Sequence, residues 1–129
     1  MKKIVLVLAS ALIFTACAQH TAGVMGSSTG EVRIDNSSFA SDVGVEQLKA
    51  RQQGGLLQGT GMIVSKVSTD LRVQYKFTWY DINGSTLEDE ASPWKSLKLH
   101  GMQRMQVMAV SPNANAIRYE LYVREAFSN

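Results

Sequence analysis

The sequence contains a single cysteine, two histidines and two prolines in 129 residues. One cysteine excludes a disulfide within the chain, and so few histidines leave the chain poor in the side chains that usually bind zinc. Histidine is also the usual general base near neutral pH. The sequence therefore favours a protein without a disulfide framework or a metal centre, and we expect no small-molecule cofactor.

An excess of one charge sign is also missing. Lys and Arg total 13 and Asp and Glu total 11, but Lys2 and Lys3 stand in a segment that we expect to be removed. The remaining chain then has 11 basic and 11 acidic residues and no net charge. A neutral domain exerts no long-range attraction on nucleic acid or on anionic lipid, so we expect no nucleic-acid partner.

The apolar stretch near the start, residues 4–14, is 11 residues long. A membrane-spanning helix needs about 20 apolar residues, whereas a short apolar stretch after a basic start is typical of a signal peptide. It leads into Phe14-Thr15-Ala16-Cys17, where small residues before a cysteine resemble the bacterial lipobox. We predict a lipoprotein signal peptide at residues 1–16 and lipidation of Cys17; the alternative is an ordinary secreted protein with an unpaired thiol.

The residues that follow Cys17 predict how the protein is held. Acyl chains on this cysteine would bury enough methylene groups to anchor the protein to a membrane. Gln19, two residues after the cysteine, resembles the outer-membrane sorting signal of enterobacterial-type lipoproteins. Residues 17–30 are small and polar without an apolar period, which predicts a flexible tether. We therefore expect an outer-membrane protein, lipid-anchored and facing the periplasm.

The clearest structural pattern lies at residues 71–80. Leu71, Val73, Tyr75, Phe77 and Trp79 alternate with polar residues, which is typical of a strand with one buried face. We interpret this stretch as a central antiparallel strand, with Phe77 and Trp79 as core anchors. Further strands are predicted at residues 31–36, 43–51, 62–68, 95–99, 102–110 and 116–124, and no helical period of useful length follows the cysteine.

Glycine is concentrated at residues 52–61, which we interpret as a hairpin loop that exposes Leu56 and Leu57. A phosphate-binding loop is excluded because no Lys-Ser or Lys-Thr pair follows these glycines. Asn83-Gly84 predicts a tight turn after the central strand. Short strands at this spacing predict an all-β fold. We expect a single antiparallel β-sandwich over residues 31–129, immunoglobulin-like or fibronectin-III-like but without the disulfide.

Several motifs together resemble a known family. They are the lipobox, the pattern Phe77-x-Trp79-Tyr80-Asp81-x-x-Gly84, Trp94, Ser111-Pro112-Asn113 and the closing strand at residues 118–122. In this combination the chain resembles the YcfL family of small periplasmic lipoproteins. The resemblance implies a single-domain β-sandwich lipoprotein of uncharacterised function, and Cys17 is the residue whose chemistry it carries over.

These observations favour a non-enzymatic module that binds an envelope protein or a glycan. Loops and edge strands supply the contacts in such modules. The candidate contact residues are Leu56, Leu57, Tyr80, Trp94 and Arg104. Two alternatives stay open. One is an envelope hydrolase that uses His100 together with a serine and a carboxylate. The other is a structural subunit that associates with itself through an edge strand.

Overall fold

The computed structural model describes residues 23–126, which form a sandwich of two antiparallel sheets. The predicted signal peptide, Cys17 and Gln19 lie outside the described residues. The elements are β1 (Gly23–Ser27), β2 (Val32–Ile34), α1 (Ser37–Asp42), β3 (Val43–Gln53), β4 (Leu56–Ser65), β5 (Leu71–Tyr80), a 3₁₀ turn (Asp89–Ala91), β6 (Lys95–Leu99), β7 (Arg104–Val110) and β8 (Arg118–Glu125). The predicted all-β sandwich is confirmed.

One sheet has five strands in the order β2-β1-β8-β5-β6, and the other has three in the order β3-β4-β7. If β3 to β8 are taken in chain order as strands A, B, C, C′, E and F, these neighbours are those of an immunoglobulin-type sandwich. Two differences stand out in the described residues. β1 occupies the place of the last strand, G, and no strand occupies the place of D beside β7.

The core forms around the strand that the alternation predicts. Val73, Phe77 and Trp79 of β5 are at most 4% exposed. The Phe77 and Trp79 rings stack with centroids 6.0 Å apart, and the Tyr119 ring of β8 lies 5.4 and 5.5 Å from them. Aromatic rings at such distances add stabilisation to the burial of their area.

Tyr119 also joins the two sheets. Its side chain is fully buried, and its hydroxyl group donates to the carbonyl oxygens of Lys49 and Thr60, on β3 and β4. The ring lies where a side chain of residue 59 would be, because a Cβ atom on Gly59 would come within 2.7 Å of it. The glycine on β4 is therefore needed for close packing of the sheets rather than for a turn.

The predicted tether is wrong over residues 23–27, which form β1 with all five residues buried. β1 pairs with both β2 and β8. The sequence does not predict this strand, because its residues are mostly small. The small residue at Gly26 is required by packing, since an added Cβ would meet the side chains of Leu48 and Val45. Residues 23–27 therefore belong to the folded domain and not to the predicted tether.

The predicted glycine-rich loop is also largely wrong. The turn between β3 and β4 consists of Gly54 and Gly55 alone, and these two glycines have φ angles of 58° and 82°. Residues 56–61 belong to β4. Gly59 and Gly61 have a packing role, because an added Cβ on Gly61 would lie 2.8 Å from the Leu121 side chain.

A short helix, α1, precedes β3 although no helix is predicted. The Asn36 side chain accepts a hydrogen bond from the Phe39 amide and so caps its first turn. Phe39 is buried against the core. At six residues α1 is too short to show a helical period in the sequence. No helix within residues 23–126 is long and apolar enough to cross a membrane.

Candidate functional site

The predicted contact residues do not converge on one surface, and Leu57 is wrong as a contact residue. Its side chain is 6% exposed and belongs to the core. Its amide donates to the Ser111 hydroxyl group at 3.1 Å, and its carbonyl oxygen accepts from the Ser111 amide at 2.8 Å. The side chain turns inward because residue 57 is on β4 and not in a loop. Leu56, beside the turn, is half-buried.

Tyr80 lies on the outer face of the five-stranded sheet, in a cluster that is linked by hydrogen bonds. The Tyr80 hydroxyl group donates to Glu120 Oε1 at 2.6 Å, and the Tyr122 hydroxyl group donates to the same oxygen at 2.5 Å. The Arg118 guanidinium group stacks over the Tyr80 ring, 4.0 Å from its centroid, and lies 3.6 Å from Glu120 Oε2. The arrangement holds Tyr80 against its neighbours rather than presenting it to a partner.

The cluster changes the titration of both phenol groups. Burial raises the pKa of Tyr80 far above its ordinary value, and the hydrogen bond to Glu120 adds to the increase. Burial and the same carboxylate raise the pKa of Tyr122. Tyr119 also has a raised pKa, because burial outweighs the opposing effect of its backbone hydrogen bonds. Three of the four tyrosines therefore resist ionisation in the folded protein.

We expect these tyrosines to make the stability decrease at alkaline pH. The unfolded chain loses tyrosine protons near pH 10, whereas the folded domain retains them. The contribution of these tyrosines to the stability is thus constant below about pH 10 and is lost as the pH rises towards their folded-state pKa values. Denaturant unfolding across this range should show a shallower decrease for the double variant Tyr80→Phe, Tyr122→Phe. An unchanged slope would contradict the assignment.

Trp94 is half-buried on the same outer face, where Arg124 covers its ring. The guanidinium carbon lies 3.8 Å from the ring centroid. Nearby, Lys76 and Asp89 form an ion pair of 2.6 Å that fixes the 3₁₀ turn to the sheet. The side chains of this face thus bond to one another. In the described part of the chain, no buried side-chain nitrogen or oxygen is without a hydrogen-bond partner.

His100 lies at an exposed turn after β6. Its Nδ1 atom is 3.4 Å from Asp70 Oδ1, and both side chains are more than half exposed. No serine among residues 23–126 makes a hydrogen bond to its ring, and His100 does not line the cleft between the sheets, the cleft beside α1 or the cleft on the outer face of the three-stranded sheet. The described residues also hold no group of three His, Cys, Asp or Glu side chains that is placed to bind a metal ion. A histidine and an aspartate are thus together, but the third member of a triad does not accompany them.

Arg104 is at the start of β7, where it forms an exposed ion pair of 2.9 Å with Glu46. The functional interest of this region is the open edge of β7. The amide of Ser65 donates to the Gln103 carbonyl oxygen, and the amide of Ser111 donates to the Leu57 carbonyl oxygen. These two bonds fix which residues of β7 bond to β4, because hydrogen-bonded pairs alternate in an antiparallel ladder. They are the odd-numbered residues, 105, 107 and 109.

It follows that the amide and carbonyl groups of the even-numbered residues point away from β4. These residues are Arg104, Gln106, Met108 and Val110, and their side chains are all exposed. Within residues 23–126, no backbone group bonds to the outer edge that they form. The missing strand D accounts for this edge. β7 thus presents unpaired hydrogen-bonding groups of the kind that a further strand can use.

The other edge strands carry features that prevent further pairing. β3 has a bulge between Glu46 and Lys49, where Gln47 has a φ angle of 52°. β6 has five residues, two of which are exposed lysines, and β2 has three residues. Bulges, lysines and short length are common protections of sheet edges. β7 has seven residues, no bulge and no charge after Arg104.

Three of the clefts on the described part of the molecule bear on this surface or lie near the core. One, of about 180 Å³, lies between the sheets beside β7 and is lined by Ala109, Val110, Tyr75, Phe77 and Pro93, among others. A second, of about 410 Å³, lies beside α1 and the start of β5. A third, of about 400 Å³, follows the outer face of the three-stranded sheet past Met108. Two of the three clefts therefore adjoin the open strand.

Sequence reasoning predicted the strand at residues 102–110 and selected Arg104, but it missed Gln106, Met108 and Val110. The signal was the run of uncharged residues after Arg104. Alternation reveals a strand and its two faces, whereas the position of that strand at the edge of a sheet depends on the order of all the strands.

The family described as "Protein of unknown function (DUF1425)" matches residues 30–125. A crystal structure of a DUF1425 family member from Shewanella sp. pv-4 is 64% identical, has a TM-score of 0.63 and is matched over 83% of this chain and 99% of its own. The crystal structure of Campylobacter jejuni cj0090 is 20% identical, has a TM-score of 0.54 and is matched over 64% of this chain and 85% of its own. It supports the fold alone. No curated protein matches this chain.

Proposed function

Because this chain belongs to the DUF1425 family, whose function is not known, we propose from its geometry that it is a non-enzymatic interaction module of the cell envelope. The contact surface is the open edge of β7, which binds an extended protein segment as an added strand. The observation that carries this proposal is the row of outward backbone groups at Arg104, Gln106, Met108 and Val110, with no protection against pairing.

Strand addition suits this edge for two reasons. Main-chain hydrogen bonds supply affinity in this binding mode, and pockets for alternate side chains supply specificity. β7 offers the first along its whole length, and the cleft beside Ala109 offers the second. A protein segment therefore fits this surface better than a glycan does, because its own backbone repeats amide and carbonyl groups at the same spacing as the strand edge.

The proposal includes the anchor. Cys17 carries the lipid, and the sorting residue Gln19 directs the protein to the outer membrane, where the domain faces the periplasm. β1 begins at Gly23, so few residues separate the lipid from the first buried strand. The domain is thus held close to the membrane surface, and its partner is expected there.

Metabolic labelling with radioactive palmitate tests the anchor. We expect the intact protein to take up label and to partition with the outer membrane, and we expect Cys17→Ser to lose both properties. Failure of the intact protein to take up label would refute the lipid anchor but would leave the contact surface untouched.

Photocrosslinking in living cells tests the contact surface. A photoreactive amino acid in place of Gln106 or Met108 is expected to give discrete adducts, whereas the same group in place of Lys98 on the protected β6 edge is the matched control. The proposal requires a clear excess of adducts from β7. Equal yields from both edges, or none from either, would contradict it.

The hydrolase alternative has one supporting observation, the contact between His100 and Asp70. Both side chains are exposed, and a general base that works through a triad needs a bonded serine in reach. The interaction module is the better supported of the two functions, because its surface is continuous and its backbone groups are already oriented.

A further inference from the structure

The outer edge of β7 can pair with the same edge of a second copy of the chain. Two copies of β7 can pair antiparallel in a register that brings even-numbered residues opposite even-numbered residues. When the two-fold axis passes through Val107, Arg104 lies opposite residue 110 of the second copy and Gln106 lies opposite residue 108. This register uses every outward backbone group of the strand, from Arg104 to Val110.

The side chains on the outer face are compatible with this register. Gln106 would lie beside the second copy's Met108, and Arg104 beside the second copy's Val110, so no like charges meet. The two arginines fall at opposite ends of the paired strands, and each already has Glu46 of its own chain as a partner. Like charges opposite each other are the common device against such pairing, and β7 lacks it.

The side chains on the inner face also fit. In the same register Met105 of the second copy lies opposite Ala109, a small residue that lines the cleft of about 180 Å³ between the sheets. Methionine is unbranched and adapts to irregular spaces. Its side chain can therefore enter the cleft where strand D of an immunoglobulin-type sandwich would cover the core. The same contact occurs twice, once on each side of the axis.

We infer that the occupant of the open edge is β7 of a second copy of this chain, so that two three-stranded sheets join into one continuous six-stranded sheet. This inference rests on the proposed function and names the partner at that surface. An extended segment of another envelope protein is the competing occupant, and the experiments below separate the two.

Sedimentation measurements on residues 23–129, a part that contains both sheets and their shared core, give the first test. We expect a reversible dimer. Gln106→Pro removes an outward amide without removing a bond to β4, so it should weaken the dimer by at least about tenfold. Gln106→Ala keeps the amide and is the matched control, with an unchanged dimer. Circular dichroism checks that both variants keep the strand content of the parent.

Disulfide trapping tests the register. Residues 23–129 contain no cysteine, so a single introduced cysteine can form a disulfide with a second copy and with nothing else in the chain. Val107→Cys places two thiols opposite each other across the axis, in the close, non-hydrogen-bonded type of pair. Met105→Cys is the matched control, because its two copies would lie about 13 Å apart along the strands. We expect efficient crosslinking for the first variant and little for the second.

The outcomes are distinct. A dimer that is weakened by Gln106→Pro and trapped by Val107→Cys supports the inference. A domain that stays monomeric, a dimer that is insensitive to Gln106→Pro, or equal trapping of both cysteine variants overturns it. If the domain is monomeric while photocrosslinking from Gln106 in cells captures a different protein, the inference fails and the proposed function stands. If neither a second copy nor another protein is captured, both fail.

Discussion

Trp79→Ala is expected to destabilise the domain by about 3–5 kcal/mol, enough to unfold much of a marginally stable protein. Trp79 is 1% exposed, and its ring packs against both Phe77 and Tyr119. Alanine would remove the largest fully buried side chain in the described residues and leave a cavity between the sheets. Denaturant unfolding of residues 23–129 measures the loss, and Trp79→Phe provides a milder change if the alanine variant does not fold.

The second tryptophan provides the control. Trp94 is half-buried on the outer face, where it contacts Arg124. Trp94→Ala removes a half-buried stacking contact, of a kind that contributes about 0.5–2 kcal/mol, so we expect a smaller loss than for Trp79→Ala. The two substitutions delete the same side chain, so their difference reports the position alone. Similar losses for both would show that the core is not centred on the rings of β5 and β8.

Gly59→Ala is expected to cost about 1–3 kcal/mol by overpacking, although alanine is the smallest side chain that can be added. The new Cβ would lie within 2.9 Å of three atoms of the Tyr119 ring. The ring has no room to move, because it is fully buried and its hydroxyl group bonds to carbonyl oxygens of β3 and β4. Unfolding midpoints measure the effect.

Gly44→Ala is the matched control on the neighbouring strand. There an added Cβ meets the flexible end of Lys66, with its closest atom 3.1 Å away, so the change should be near neutral. A double-mutant cycle of Gly59→Ala with Tyr119→Leu isolates the clash, because the aromatic ring is then absent. We expect the cost of Gly59→Ala to shrink in that background. A cost that stays the same would place the strain elsewhere.

The sequence predicts a strand well when a local pattern decides its structure. β5 and β8 alternate clearly, and their inward residues Phe77, Trp79, Tyr119 and Leu121 form the core as expected. The pattern works because one face of each strand packs against the core along most of its length. The turn after β5 is also as expected in place, although Gly84 and not Asn83 has the positive φ angle.

The sequence misleads where small residues have a role set by distant neighbours. Gly26, Gly59 and Gly61 are typical of loops by composition, yet each lies in a strand and makes room for a side chain from another strand. Leu57 was misplaced for the same reason. The need for a small residue at these positions cannot be predicted from the neighbouring sequence, because the side chains that require the space are up to sixty positions away along the chain.

The candidate site was predicted in part. Arg104 was selected, and it marks the start of the open edge. Tyr80 and Trp94 are predicted contact residues, but in the structure arginines cover both rings. The edge itself is a property of the backbone. Which amides point outward depends on the register between β4 and β7, and sequence patterns do not fix that register.

Residue-resolved amide hydrogen exchange on residues 23–129 tests the central claim, that β7 presents an open edge which is used for pairing. At low concentration we predict an alternating pattern: slow exchange at Met105, Val107 and Ala109, which bond to β4, and fast exchange at Gln106 and Met108. When the edge is paired at high concentration, the exchange of these two amides should become slow. Slow exchange of Gln106 and Met108 in the dilute monomer would contradict the account, because the edge would then already be paired within the chain.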